Sequence, residues 1–215
     1  MTVSNARGLQ TTLTAGAPLG VGLRLLQPND APAVQAVFAG LGPQSRWLRF
    51  LSGKPALTDA DLRQLTSVDG WTHLAVVAST LTSQQPIGIA RFVRDRLDAG
   101  SAEVALAVVD AWQRRGIGGL LADCLIACAV AVGVRRLTMT VSAENAGVRA
   151  LLDRSQLEVT RMDLGFGVWE YAVALERPWD DQARRSQPGR SGARPVDAGR
   201  PRPTIAPETV DPSAA

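Results

Sequence analysis

The sequence predicts an α/β domain: a single mixed, mostly antiparallel sheet flanked by helices on both faces, spanning residues 20–177. Three observations carry that expectation. The apolar patterning changes between strand-like and helix-like periods in the order βααα-ββ-β-α-β-α-ββ, which one sheet with helices on both faces accommodates. At 215 residues with 46% hydrophobic content, the chain can bury one good core, and two domains would be cramped. Near the middle, Glu103 to Val109 is a short β-branched run, followed by a Gly-rich turn and a long apolar segment without Pro or Gly from Leu120 to Val132. That is a buried strand, a tight turn and a helix.

Taken in order, residues 1–19 are polar and Gly/Ala/Thr-rich without periodicity, and are expected to be disordered. Val21 to Leu26 is a first strand. Asp30 is placed to cap a helix that carries Pro32 in its first turn and runs to about Gly40. Gly42-Pro43 breaks it, and Gln44 to Phe50 forms a short amphipathic helix with Arg46, Trp47, Arg49 and Phe50. Thr58-Asp-Ala-Asp61 starts a third helix with Leu62 and Leu65 inward. Trp71 to Ser79 and Pro86 to Arg94 read as antiparallel strands, and Asp98 to Ser101 as the turn into the central strand. Gly133 ends the long helix. Arg135 to Ser142 then alternates as a strand, Ala146 to about Arg154 is a helix, and Glu158 to Leu164 and Val168 to Leu175 are the last two strands. No internal repeat is visible.

Composition excludes several classes. No apolar run approaches the length of a membrane span, and no basic-then-apolar leader opens the chain, so a cytoplasmic protein is expected. Cys124 and Cys128 lie one helical turn apart with no His near them, which suits buried inert thiols and no metal. The net charge of +3 is unevenly spread. Residues 20–177 are close to balance, whereas 184–202 hold six arginines and one acid. The last 38 residues also hold seven of the 13 prolines. Residues 178–215 are therefore expected to be a disordered Pro/Arg-rich tail and not a nucleic-acid-binding segment.

The turn Gln113-Arg-Arg-Gly116-Ile-Gly118-Gly119 is the chemical signal. A strand–turn–helix junction gathers unpaired amide N–H groups, and glycines let a phosphate approach the backbone. Arg114 and Arg115 add charge. A P-loop fails because no Lys follows the glycines, and the dinucleotide fingerprint fails because Leu121 stands where its third Gly is needed. Gln/Arg-x-x-Gly-x-Gly/Ala matches at every fixed position. Preceded by an acid-bearing strand, that pattern resembles the acyl-CoA loop of the GNAT superfamily of N-acetyltransferases.

The resemblance covers about Val21 to Leu175. Ser45-Arg-Trp-Leu-Arg-Phe50, Leu57-Thr58, Leu65-Thr66 and Leu74-Ala-Val-Val77 are similar to bacterial protein lysine acetyltransferase domains of the Pat type, which acylate acyl-CoA synthetases and related enzymes. The resemblance implies the GNAT fold, acetyl-CoA as cosubstrate without a metal, and a protein lysine or another amine as acceptor. Lysine must lose a proton before it attacks a thioester, and the strand's only acid, Glu103, is implied as the general base. By alternation Glu103 shares a face with Ala105 and Ala107; it also reads as an exposed strand-end glutamate. Val108 and Val109 are implied to pair with pantetheine, and the backbone N–H groups from Arg114 through Arg115, Gly116, Ile117 and Gly118 to Gly119 to hold the pyrophosphate, with Gln113 of the same motif also implied to bind the cofactor. Asn145 is implied to contact the CoA arm, and equally reads as an N-cap. Arg46 and Arg49 flank the implied substrate entrance or are surface charges.

Two departures stand out. The helix after Glu144-Asn145 lacks the tyrosine that many relatives use to protonate the leaving thiolate; the only tyrosine, Tyr171, lies in the last strand. Ser155-Gln156-Leu157 replaces the usual Leu-Gly-Phe. The sole histidine, His73, at a strand start, reads as structural. A small-amine or antibiotic acetyltransferase, with Asp69, Asp95 and Asp98 as acidic pocket walls, is the rival acceptor reading. A non-catalytic acyl-CoA sensor is the rival function.

Overall fold

Eight strands pair into one sheet: β1 (Leu13–Gly16), β2 (Val21–Leu25), β3 (His73–Thr80), β4 (Pro86–Arg94), β5 (Ser101–Val108), β6 (Arg136–Ser142), β7 (Glu158–Gly165) and β8 (Val168–Ala174). The structure, a computed structural model, describes residues 13–16 and 19–175. The Pro/Arg-rich tail expected from residue 178 lies outside those residues, as does most of the N-terminal segment. Within that segment β1 pairs antiparallel with β2, Leu13 opposite Leu23 and Gly16 opposite Val21. Backbone pairing along a free edge leaves no side-chain pattern to read, so the sequence shows nothing there.

The strand order is β1-β2-β3-β4-β5-β6-β8-β7. Every neighbouring pair is antiparallel except β5–β6. All eight residues of β3 are buried, as a central strand covered on both faces requires. The helices are α1 (Ala31–Ala39), α2 (Pro43–Phe50), α3 (Asp59–Thr66), α4 (Ile117–Ala131) and α5 (Ala146–Ser155). On one face α4 buries Ile117, Leu121, Cys124, Leu125 and Cys128 against Val76, Ile87 and Phe92. Both cysteines are free thiols in this core. On the other face α1 and α3 bring Val34 and Leu62 onto Ala75 and Val77, while Val37 and Leu41 pack on Ala107.

Local chemistry sets the helix starts. The Thr58 hydroxyl accepts from the Asp61 N–H at 3.2 Å, and an Asp61 carboxylate oxygen accepts from the Thr58 N–H at 2.8 Å, a reciprocal capping box. Asp30 stands at the N-cap of α1 but makes no capping bond. Its carboxylate is taken by the Arg24 guanidinium at 2.5 Å instead, because a charge-assisted partner outcompetes a backbone N–H.

Two features of this frame position the site. First, β5 and β6 pair only through Ser101–Arg136, Ala102–Leu137 and Glu103–Thr138. Beyond Glu103 the two strands diverge, β6 continuing along β8 and β5 along β4. Second, the α1–α2 turn is locked onto the end of β5. The Gly40 carbonyl accepts from the Asp110 N–H at 3.1 Å, and the Gly42 N–H donates to the Asp110 carboxylate at 3.0 Å. A Cβ on Gly40 would lie 2.6 Å from a Val109 methyl. Gly40→Ala is therefore expected to destabilise the fold by ~1–3 kcal/mol, as overpacking does, read from the urea midpoint.

Candidate active site

The fork between β5 and β6 is the opening in which a linear ligand can add to the sheet. In the β4–β5 ladder the Val109 N–H donates to the Ile87 carbonyl at 2.9 Å. By antiparallel alternation, the backbone groups of Val109, Ala107 and Ala105 face β4, and those of Val108, Leu106 and Val104 face the fork. Val109, expected from the sequence to pair with the ligand, is thus engaged within the sheet. Of the expected pair only Val108 faces the opening, and its carbonyl accepts from the Gln113 side chain at 3.0 Å. Val104 and Leu106 supply the remaining fork-facing backbone.

The glycine turn closes the wide end. After a 3₁₀ turn at Asp110–Trp112, Arg114 adopts φ 56° and Gly116 φ 85°, both in the left-handed region. Gly116 is free to adopt that conformation, whereas a non-Gly residue such as Arg114 holds it at a cost, and such sites cluster where function needs them. Gly116 is the N-cap of α4, no side chain caps the helix, and the first intrahelical bond is that of the Leu120 N–H to the Gly116 carbonyl. The N–H groups of Ile117, Gly118 and Gly119 are left for an anion, aided by the helix dipole. Ile117 serves there through backbone only, since its side chain is in the core. A Cβ on Gly118 would meet Leu151 no closer than 3.6 Å, so packing does not demand glycine at that position.

Other expected residues have different placements. The Gln113 amide lies at 3.0–3.1 Å from Ser45 Oγ, the Val108 carbonyl and Asp110 Oδ1. It braces α2 against the turn, so its side chain is not turned out to a phosphate. Arg114 and Arg115 are exposed, Arg115 lying 5.0 Å over the Trp112 ring. Asn145 caps α5, its Oδ1 accepting from the Val148 N–H at 3.1 Å, which leaves its amide hydrogens for a ligand. Arg46 is no loose surface charge: it donates to the carbonyls of Leu41 and Pro55 at 2.8 and 2.9 Å and lies over the Phe38 ring. Asp69, Asp95 and Asp98 each fold back on neighbouring N–H or hydroxyl groups as turn formers. A cavity of about 450 Å³ lies between α5, β7 and β8, where it is lined by Tyr171 and Arg149 and by none of the glycine-turn residues.

Glu103 is exposed at the apex of the fork, the last residue of β5 with a partner in β6. Its face of β5 also carries Ala107, which packs under α1, as the alternation from the sequence predicts. The apex, the fork-facing edge of β5 and the N-terminus of α4 form one continuous path. That path can take a molecule with a reactive end, an amide-bearing arm and a pyrophosphate.

Comparison with known proteins gives the architecture its family. The family model for the acetyltransferase (GNAT) domain matches residues 21–158. The chain belongs to the GNAT acetyltransferase family. GNAT proteins are acetyl-CoA-dependent N-acetyltransferases, and the residues along the path suit that cosubstrate. Acetyltransferase Pat of Mycolicibacterium smegmatis is 34% identical over 151 residues, 70% of this chain and 45% of that protein, so the chain spans about half the length of this relative. The GNAT domain of S. lividans PAT superposes with a TM-score of 0.64 at 23% identity, covering 71% of this chain and 89% of that one. A protein from Salmonella typhimurium, solved with its cofactor acetyl-CoA, superposes with a TM-score of 0.58 at 20% identity over 73% and 95% of the two chains. Among the described residues, no helix is long and apolar enough to cross a membrane.

The GNAT fold buries one histidine in this chain. His73 Nδ1 donates to the Ser67 carbonyl at 3.1 Å, and Nε2 is buried without a partner. Burial, then the Arg91 charge, lower its pKa below the usual value. The unfolded chain therefore takes up a proton near pH 6.5 that the folded chain refuses, and stability falls as the pH drops through that value. Urea midpoints between pH 7.5 and 5.5 are expected to decline in the wild type and to flatten in His73→Gln.

Proposed function

We propose that this chain transfers the acetyl group of acetyl-CoA to the side-chain amine of a protein lysine, with Glu103 as general base. The observation that carries the reading is the position of Glu103: the only acid of β5, exposed, at the point where pairing with β6 stops. Pantetheine would add along the fork-facing backbone of Val104, Leu106 and Val108, and the pyrophosphate would sit on the N–H groups of Ile117, Gly118 and Gly119. An alkylammonium gives one proton to Glu103, and its nitrogen attacks the thioester carbon. The C–S bond then breaks, and the second N–H proton ends on the departing sulfur. α5 carries no tyrosine to deliver that last proton, which leaves water or the substrate itself as the route. The lysine acceptor is supported by the likeness to Pat, and a cytoplasmic location goes with it. An acyl-CoA synthetase is the natural first acceptor for trial.

Glu103→Gln is expected to lower kcat about 10²–10⁴-fold with little change in acetyl-CoA affinity, measured as thiol release with protein and small-amine acceptors. Transfer to small amines alone would replace the acceptor and keep the mechanism, whereas CoA binding with no acylation of any acceptor would favour a sensor. Gly118→Ala separates ligand approach from packing. It is expected to weaken acetyl-CoA binding about tenfold while leaving the melting temperature equal or higher, since Ala is the better helix former.

A further inference from the structure

The fold ties down most of its half-buried arginines with carbonyl groups, and leaves two untied beside Glu103. Arg46 is held by Leu41 and Pro55, Arg94 by Trp71 and Val132, and Arg149 by Ala143. Arg49 and Arg91, by contrast, donate no hydrogen bond to any described residue. The ion pairs among the described residues are Arg24–Asp30 and Lys54–Asp61, so neither is in a salt bridge. The Arg49 guanidinium lies 4.8 Å over the Phe50 ring. Arg91 is half-buried, and its Nη1 is fully buried without a partner.

Both side chains come to the same place. Arg91 lies opposite Ala105 in the β4–β5 ladder, and Glu103 opposite Val93, so Arg91 and Glu103 are diagonal neighbours on one face. α2 packs over β5 and β6 on that face and carries Arg49. The charges sense one another: burial, then Arg91, push Arg49 down to about 10, with Glu103 acting the other way. Burial lowers Arg91 as well, again against Glu103. Two guanidinium groups thus lie within the field of one carboxylate without pairing to it, and that carboxylate is the one assigned to proton transfer. An unmet guanidinium in a half-buried site is costly, and its planar fork matches a carboxylate. Its other neighbours on that face of β5, Ala105 and Ala107, are small and leave space for such a group.

We infer that Arg49 and Arg91 form a carboxylate-binding subsite beside Glu103. Its ligand is either the distal carboxylate of a dicarboxylic acyl-CoA or a carboxylate next to the amine on the acceptor. The inference rests on the reading of the Glu103 apex as the transfer site, because only there does the subsite face the reacting ends. The carboxylate is a spectator; the bonds made and broken are those of the transfer described above.

Calorimetry on the full chain tests it in two arms. In the first, succinyl-CoA is compared with acetyl-CoA. In the second, lysine peptides with a neighbouring glutamate or glutamine are titrated into the CoA complex. The wild type is expected to favour the carboxylate-bearing ligand about tenfold in one arm, the size of one charge-assisted contact, and that arm identifies the source. Arg49→Gln and Arg91→Gln bring the ratio close to parity. Arg49→Lys and Arg91→Lys, which keep the charge and spare the fold, leave about threefold or less, because the fork is lost. Parity in both arms for the wild type, or a preference that survives all four substitutions, overturns the subsite. Since both arms read binding, acetylation that persists at parity removes the subsite alone. A carboxylate preference without any acyl transfer removes the transfer reading alone.

Discussion

The structure depends on a pairing that stops. Three parallel residue pairs join β5 to β6, and past Glu103–Thr138 the edge of β5 has no strand beside it. Inside a sheet an unpaired backbone edge is costly unless something pairs with it, and the fork exposes such an edge. The rest of the molecule keeps it open. The core under α4 fixes β5 from one face, and the α1–α2 turn fixes its far end from the other through Gly40, Gly42 and Asp110. The Gln113 amide ties α2 to the same strand end, so the helix over the apex and the turn at the wide end are held by one side chain.

Charge is distributed along this path with a division of labour. At the wide end, backbone N–H groups at the start of α4 offer partial positive charge, with the exposed Arg114 and Arg115 beside them. At the apex the charge is carried by side chains: one exposed carboxylate and two guanidinium groups that the fold leaves without hydrogen-bond partners. The first arrangement suits a pyrophosphate. The second is the one from which the carboxylate subsite is inferred.

Much of the fold was legible because its signals are local. Thr58 and Asp61 formed the capping box that their spacing announces, and α4 and β5 carry their own periodicity. The glycine turn was legible for the same reason, since a left-handed Gly116 and an uncapped helix start are properties of a few adjacent residues. Misreadings arose where a residue had a choice of partner. Asp30 looked like a cap and took Arg24; Asp69, Asp95 and Asp98 looked like pocket walls and are turn formers. The Gln113 side chain, within the glycine-turn motif, likewise took protein partners.

The sequence by itself determined the order of strands and helices from β2 onward, the place of the glycine turn and the one acid available to β5, because periodicity, capping and glycine chemistry act within a few residues. The tertiary structure decided which way each strand edge faces, and therefore that Val104 and Leu106 line the fork while Val109 does not. It also decided that Arg49 and Arg91, 42 positions apart, share a face with Glu103. Register between strands and the packing of a helix across them are set by the whole sheet, and no short stretch of chain contains that information.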